Sequence, residues 1–596
     1  MPLNFRFLSL LALVAIMPSQ RLSGQMASPG SDPQVIATDN KTPTWAETIA
    51  AFDELAASHP NAHLLEIGKS DVGRPIHAFI LSLSTPSISA LPELKEQRLA
   101  EDQKLGLLIN NAIHPGEPCG VDASVAWLRS LLADEGTLQS TLSTLDIAVI
   151  PMYNVGGALN RNCCTRTNQD GPEEYGFRGN ARNLDLNRDF IKMDSRNAEA
   201  FVALFQAFAP NIFIDTHTTN GADYPYEMTL ISTQPDKAGP VLGPYIREVM
   251  EPALFTSMAQ RGVPMSPYVY SKGETPDDGI LGFLETPRYS TGYGVLFGTI
   301  GFTAEAHMLK PFPVRVEATK QFIESTVEFM MKNTQELHDV KAAELDRWKR
   351  IPTAPVRWEL TEDHTPIEFE GYVARREISQ VTGELRLKYD RDAKWTKTIP
   401  HYNHYEEVVE TRIPEFWVVP QAWREVVERM RQNGVEMTTV SADTIAVLEA
   451  GEIKGFKSNS RPYEGHHVNA CDTVIWSAQP VQLYCGDFIL HADQPALRYL
   501  CETLDPRGHD SFFTWNFFDS AMQQKEHFSA YVFEETAAEM LANDPALKEA
   551  FGAALAADTT LREDARAQLN WLYKASPHFE KTANRYPVYR SMTSRP

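Results

Sequence analysis

His114 and Glu117 stand three residues apart in a polar turn, Ile113-His114-Pro115-Gly116-Glu117, that follows the apolar run Leu105–Ile109. An imidazole and a carboxylate held on one tight turn can converge on a single metal ion, but two donors do not complete a site. A third donor is offered by His217, in Asp215-Thr216-His217-Thr218-Thr219, just past the apolar stretch Ile212–Ile214. Two imidazoles and one carboxylate form the three-ligand, open-position set of a hydrolytic zinc, so one Zn2+ is the expected cofactor. Hydrolysis then needs a base to move the proton of water, and Glu305, just after the strand-like Gly298–Thr303, is the candidate. Asp185 suits a supporting role, accepting the far ring N–H of His114. Arg188 with Asn187 offers a forked donor set for a terminal carboxylate. Arg166, with Arg161 as the alternative, can face a carbonyl oxygen as negative charge builds on it.

The elements that must position these groups alternate along the first half of the chain. Trp45, Ile49, Phe52 and Leu55 recur at helical spacing, and a hairpin is expected across Gly68–Pro75 between His63–Ile67 and Ile76–Leu83. The buried strand Leu105–Ile109 leads through the His114 turn into a helix over Val121–Leu132. A strand follows at Asp146–Met152, then an Arg-rich excursion over Asn160–Arg182 that holds Arg161, Arg166 and Arg178. A helix over Arg196–Phe208, the strand ending before His217, and a closing helix over Ala318–Asn333 complete the pattern. Strands alternating with helices indicate an α/β fold, a sheet covered by helices. Polar residues gather where the strands end, which is where open α/β sheets keep their sites.

Length and composition bound the rest. A chain of 596 residues exceeds one core and implies several domains. A formal charge of −23 without a Lys/Arg stripe argues against a nucleic-acid partner. Arg6 precedes the apolar run Phe7–Met17, which Pro18, Ser19, Ser23 and Gly24 then break; this is the pattern of a secretory signal and too short to span a bilayer. The expected organisation is a signal over 1–26, a flexible lead-in over 27–43, a catalytic domain over 44–340 and an accessory region over 350–596. Once the signal is removed no membrane association is expected, and the protein is read as secreted or periplasmic. Six cysteines are too few for a disulfide scaffold. A bridge among Cys471, Cys485 and Cys501 is possible in an exported protein, whereas adjacent Cys163 and Cys164 are expected to stay unbonded.

Near Arg350 the texture changes to alternating, β-like segments such as Glu368–Val373 and Glu384–Tyr389. An amphipathic helix carries Trp423, Val426, Val427 and Met430 and stops at Asn433-Gly434; another helix is expected over Leu561–Tyr573. The aromatic group Phe512, Phe513, Trp515, Phe517 and Phe518 reads as core. His401, His404, His466 and His467 fit no complete ligand set and read as surface residues.

Taken in order, Gly73-Arg74-Pro75-Ile76, His114-Pro115-Gly116-Glu117, Asp185-Leu186-Asn187-Arg188, His217 and Glu305 make the sequence resemble the zinc carboxypeptidases, the M14 metallocarboxypeptidases, over about residues 44–340. The resemblance implies a mixed, mostly parallel α/β sheet, with a C-terminal mixed α/β accessory region beyond it. It implies zinc on His114, Glu117 and His217, Glu305 as general base and acid, and Arg188 with Asn187 on the substrate's C-terminal carboxylate. The family also uses an Arg near the scissile carbonyl, here Arg166 or Arg161, and a mobile Tyr over the substrate, here Tyr289 or Tyr293. Two departures bear on side-chain preference: Pro115-Gly116 offers no basic side chain, and His217 is followed by Thr218-Thr219. The expected substrate is a peptide or an acyl-amino acid, and no oligomeric state is assigned. Alternatives are a zinc amidase, deacylase or cell-wall peptide hydrolase, and a binding module that has lost catalysis.

Overall fold

Four strands open on apolar and small residues and carry their polar ones mostly toward their C-terminal ends, and they form the middle of the molecule. They are β3 (Leu105–Asn110), β4 (Leu145–Ile150), β5 (Ile212–Thr218) and β9 (Ile300–Ala306), and every residue in them is buried. Such continuous apolar runs suit strands covered on both faces, as in parallel sheets. The computed structural model describes residues 40–83, 88–101 and 103–593. The expected signal over 1–26 lies outside these residues. Of the lead-in, residues 40–43 are described, with Thr42 hydrogen-bonded to Asp122 (2.7 Å) and Asn40 O accepting from Glu173 N (2.9 Å).

The remaining strands of the main sheet are β1 (Ala62–Lys69), β2 (Pro75–Leu81), β6 (Met228–Ser232) and β7 (Met265–Pro267). The order is β1-β2-β4-β3-β5-β9-β6-β7. The central run β4-β3-β5-β9 is parallel, as is β6 with β7; β1/β2, β2/β4 and β6/β9 are antiparallel. This is the mixed, mostly parallel sheet expected. The β1–β2 turn needs Gly73, whose φ of 73° favours a residue without Cβ. Alternate residues of each central strand face opposite cores. Leu107, Ile109, Ile147 and Ile214 pack under the helices Cys119–Ala133 and Phe312–Lys332, while Leu108, Ala148 and Phe213 pack under the helix Arg196–Phe208.

The second core does not stop at that helix. Phe201, Phe205 and Phe208 share one continuous hydrophobic cluster with Trp417, Val426, Met430, Phe512, Phe513, Trp515 and Tyr586 of the C-terminal half. That half opens with β10 (Thr353–Leu360), β11 (Thr365–Ile378), β12 (Leu385–Tyr402) and β13 (Tyr405–Arg412), paired as β10/β13 and β11/β12. The end of β12 also pairs with β8 (Ile280–Leu281) of the first half. A six-stranded sheet follows, built from β14 (Phe416–Val419), β15 (Thr438–Thr439), β16 (Thr444–Ser458), β17 (Asn469–Leu483), β18 (Phe488–His491) and β19 (Arg585–Arg590) in the order β15-β18-β14-β19-β16-β17. Between β18 and β19, Phe533, Leu569, Leu572 and Tyr573 form a small separate core. Among the described residues no helix is long and apolar enough to cross a membrane.

Several expectations need correcting. The helix expected over Leu561–Tyr573 is broken: Asp564 ends one short helix and caps the next, accepting from Arg566 N and Ala567 N. Cys163 and Cys164 form a vicinal disulfide, while Cys471, Cys485 and Cys501 are not bridged to one another. His466 is no surface residue; it packs edge-on to Trp515 and lies 2.7 Å from Asp194. His401 is buried as well.

Candidate metal centre and substrate cavity

The chain leaves β3 at Asn110 and turns sharply at Ala112, whose φ of 54° is left-handed. Glu117 N donating to His114 O (2.8 Å) closes the next turn, and a helix starts at Cys119. A side chain at Gly116 would collide with Arg166, because a Cβ there would lie 2.6 Å from its Cδ. The missing side chain in His-Pro-Gly-Glu is therefore what lets an arginine from the 160–182 excursion reach Glu117. His217 comes from β5 and Glu305 from β9, directly opposite each other in the parallel ladder. The strand runs three residues beyond the expected Thr303, so Glu305 lies within it and not after it.

One donor atom from each of His114, Glu117 and His217 lies within 4.8 Å of the others, and all three residues are buried. His114 Nδ1 is 3.3 Å from Glu117 Oε1, and His217 Nδ1 is 3.2 Å from Glu117 Oε2. The far ring nitrogens face carboxylates: His114 Nε2 lies 2.9 Å from Asp185 Oδ1, and His217 Nε2 lies 3.0 Å from Asp215 Oδ2. Each acid favours a proton on the far nitrogen, which leaves the Nδ1 lone pair free to ligate. Two such nitrogens and one carboxylate match the donor chemistry of zinc.

Burial opposes ionisation of Glu117, yet Arg166 and His114 hold its carboxyl well below the usual carboxylate range. Arg166 Nη1 donates to Glu117 Oε1 at 2.8 Å. Arg178 joins the same group: Nη1 lies 3.4 Å from Glu117 Oε1 and 3.3 Å from His114 Nδ1, while Nε and Nη2 donate to Asp185. Arg161 points elsewhere, donating to Thr42 O and Pro43 O. Glu305 behaves in the opposite way to Glu117. Burial, against the pull of His217, pushes its carboxyl up to about 8, and its Oε2 has no hydrogen-bond partner among the described residues.

A cavity of about 500 Å3 opens beside this group, lined by His114, Glu117, His217, Arg166, Arg178, Asn187, Arg188, Tyr289 and Glu305 among others. Asp185 caps the short turn Leu186–Arg188 by accepting from Asn187 N (2.9 Å), and Asn187 Oδ1 accepts from Ser290 N (3.0 Å). Arg188 donates through Nη1 to Asn187 O (2.7 Å), and its guanidinium stands 4.2 Å from the centre of the Tyr289 ring. Tyr293 does not reach the cavity. Its ring is fully buried against Phe190, Phe205 and Phe297, and its hydroxyl donates to Asn433 (2.8 Å), so of the two tyrosines Tyr289 alone lines the site.

Sequence reasoning passed over three residues. Asp215 precedes His217 by two positions and so shares its face of β5, a signal legible from strand periodicity. Arg178 carried no mark distinguishing it from Arg161 and Arg166. Glu285, on an irregular segment, lines the same cavity with its carboxyl pushed up to about 7 by burial.

The fold and the site together define a metallohydrolase with its centre at the ends of parallel strands. Residues 48–222 match the zinc carboxypeptidase family (peptidase M14), and that region of the chain is a zinc carboxypeptidase domain. The match supports a zinc-dependent hydrolase chemistry for that domain. The match covers His114, Glu117, Asp185, Arg188 and His217 and ends before Glu305. Carboxypeptidase 2 of Trichophyton tonsurans is 22% identical over 521 residues, covering 84% of this chain and 89% of that protein. A probable carboxypeptidase 2 of Arthroderma benhamiae is 22% identical over 520 residues, covering 84% and 90%. Among solved structures, a metallo-carboxypeptidase from Burkholderia cenocepacia aligns with a TM-score of 0.35 and 17% identity, over 49% of this chain and 70% of that one.

Proposed function

We propose that the protein is an exported carboxypeptidase that hydrolyses the C-terminal peptide bond of its substrates. The observation that carries this reading is one cavity lined by both a three-donor metal cluster and an arginine that no carboxylate of the chain pairs with among the described residues. His114, Glu117 and His217 are the residues that would hold zinc. Bound there, zinc supplies Lewis acidity and lowers the pKa of water. Arg188, steadied by Asn187 O and the Tyr289 ring, binds the free α-carboxylate and sets which bond lies over the metal cluster. Glu305, directly across the parallel ladder from His217, takes a proton from the attacking water and returns it to the departing amine nitrogen. Arg178 and Arg166 meet the carbonyl oxygen as it gains negative charge. Arg6 followed by the apolar Phe7–Met17 supports export.

Glu285 points to the side chain accepted. It is a buried carboxylate lining the substrate cavity, and its partners are the hydroxyls of Thr291 and Thr303. Among the described residues no salt bridge reaches it, so a Lys or Arg side chain on the terminal residue would draw off its proton and pair with the carboxylate that remains. The test is a digest of peptide pairs that differ only in a free or amidated C-terminus, read by mass. Release of one terminal residue from the free peptides only, with Lys and Arg preferred, is expected. Equal cleavage of both members of a pair overturns the exopeptidase reading.

A further inference from the structure

The long hairpin formed by β16 and β17 projects from the C-terminal half, and its tip does not end in solvent. Tyr463 and His466 bond each other in both directions (2.7 and 3.0 Å) around Glu464 and Gly465. Both tip residues are left-handed, with φ of 50° and 85°. That is the geometry of a two-residue hairpin turn, in which glycine or asparagine is at ease at both positions. Glutamate at the first position costs conformational energy, which a contact made by its carboxylate would offset.

Such a contact is present: Glu464 Oε2 accepts the backbone N–H of Asp185 at 2.7 Å. The Tyr463 hydroxyl accepts from Arg188 Nε at 3.0 Å. Two residues after Glu464, His466 lies 2.7 Å from Asp194. Two adjacent residues of the tip thus hold both ends of Asp185-Leu186-Asn187-Arg188. With Nε engaged by Tyr463 and Nη1 by Asn187 O, and with one face of the guanidinium covered by Tyr289, Arg188 keeps a single orientation. A guanidinium already oriented loses less rotational freedom when it meets a carboxylate.

We propose that the β16–β17 tip is part of the substrate-binding apparatus: Tyr463 and Glu464 are positioning residues that hold Arg188 and the Asp185 segment ready for a free C-terminus. The C-terminal half therefore sets affinity for the substrate's carboxylate and takes no part in bond cleavage. This rests on the reading of Arg188 as the carboxylate anchor, and the experiment separates the two.

Tyr463→Phe keeps the ring that stacks on Trp515 and removes only the hydroxyl. Glu464→Gly removes the carboxylate while placing at φ 50° the residue that best tolerates it. Both variants and Arg188→Gln are assayed as zinc-loaded, full-length protein on a blocked dipeptide ending in lysine, with free lysine as competing product. Tyr463→Phe is expected to raise KM and the inhibition constant of lysine together by about tenfold, the scale of a lost hydrogen bond to a charged group, with kcat within about twofold. Glu464→Gly is expected to raise both by roughly threefold without lowering the melting temperature. A fall in kcat at constant KM, or no change in either constant, overturns the proposal. If Arg188→Gln raises KM while Tyr463→Phe and Glu464→Gly do not, the anchor reading stands and the hairpin proposal fails. If Arg188→Gln also leaves KM unchanged, both fail.

Discussion

The two halves of this molecule use β-structure in different ways. In the first, β3, β4, β5 and β9 are buried end to end, and function is placed where they stop. In the second, β11, β12, β16 and β17 run for 14 to 18 residues with burial that comes and goes along them. Ile378 and Leu385, at the far ends of β11 and β12, are well exposed. A buried strand cannot shift without carrying its neighbours, so its end is a fixed platform for metal donors. A long hairpin is instead a means of reach, and one of them delivers Tyr463 and Glu464 to Arg188 and Asp185. The metal-donor cluster thus stands on the first half's platform, and the second half reaches its surroundings through a small contact and a shared core.

The largest effect is expected from cutting the chain after Arg350. Phe201, Phe205 and Phe208 would lose Trp417, Val426 and Met430 from their cluster, and β8 would lose β12. We expect the fragment to show no cooperative unfolding transition by circular dichroism, since a cluster of this size contributes far more than a domain's net stability. A cooperatively folding, active fragment would mean that the halves are independent after all.

Glu305→Gln sharpens the claim that chemistry is confined to the first half. The amide preserves shape but accepts no proton, so kcat should fall by about 10²–10⁴-fold with zinc content unchanged by elemental analysis. A kcat near wild type would place the base elsewhere.

A smaller effect is expected from Glu285→Gln on stability against pH. Glu285 titrates near 7 in the folded chain against an ordinary 4.5. Between those values the folded state holds a proton that the unfolded chain releases, so stability falls as pH rises from about 4.5 to 7 and is level above that. Denaturant titrations of zinc-stripped protein should show this slope, on the order of 3 kcal/mol in total, reduced in the variant. Parallel slopes would show that the buried acid is already ionised.

Asp215→Asn addresses the face of β5 behind the metal cluster. Its carboxylate lies 3.0 Å from His217 Nε2, and loss of the charge should weaken zinc affinity by about 10–100-fold in competition with a chelating dye. Unaltered affinity would remove Asp215 from the account.

How much of this could be read from the chain alone depends on what each residue's signal was. Strands such as Leu105–Asn110 and helices such as Arg196–Phe208 announce themselves by continuous or periodic apolarity, and they appear where expected. His114 and Glu117 were legible because they follow such a strand, and His217 because it stands just past the apolar Ile212–Ile214, although β5 runs on through it to Thr218. Arg178 was not, since an arginine in an irregular excursion finds its place only through tertiary contacts, here with Asp185. Tyr289 and Tyr293 looked alike because a helix of five residues, Ser290–Gly294, turns one inward and leaves the other at the cavity. Nothing local distinguishes Tyr463 and Glu464, because their partners lie 275 and 279 residues away. The vicinal Cys163–Cys164 bridge was misjudged because the expectation weighed backbone geometry alone.

The central claim is that His114, Glu117 and His217 hold one metal ion. A crystal of the zinc-loaded protein, with diffraction recorded on both sides of the zinc absorption edge, tests it most directly. We expect one anomalous peak within about 2.0–2.2 Å of His114 Nδ1, His217 Nδ1 and a Glu117 carboxylate oxygen, with Glu305 facing it and not ligating. An anomalous peak held by other residues, or none at these three, would contradict it.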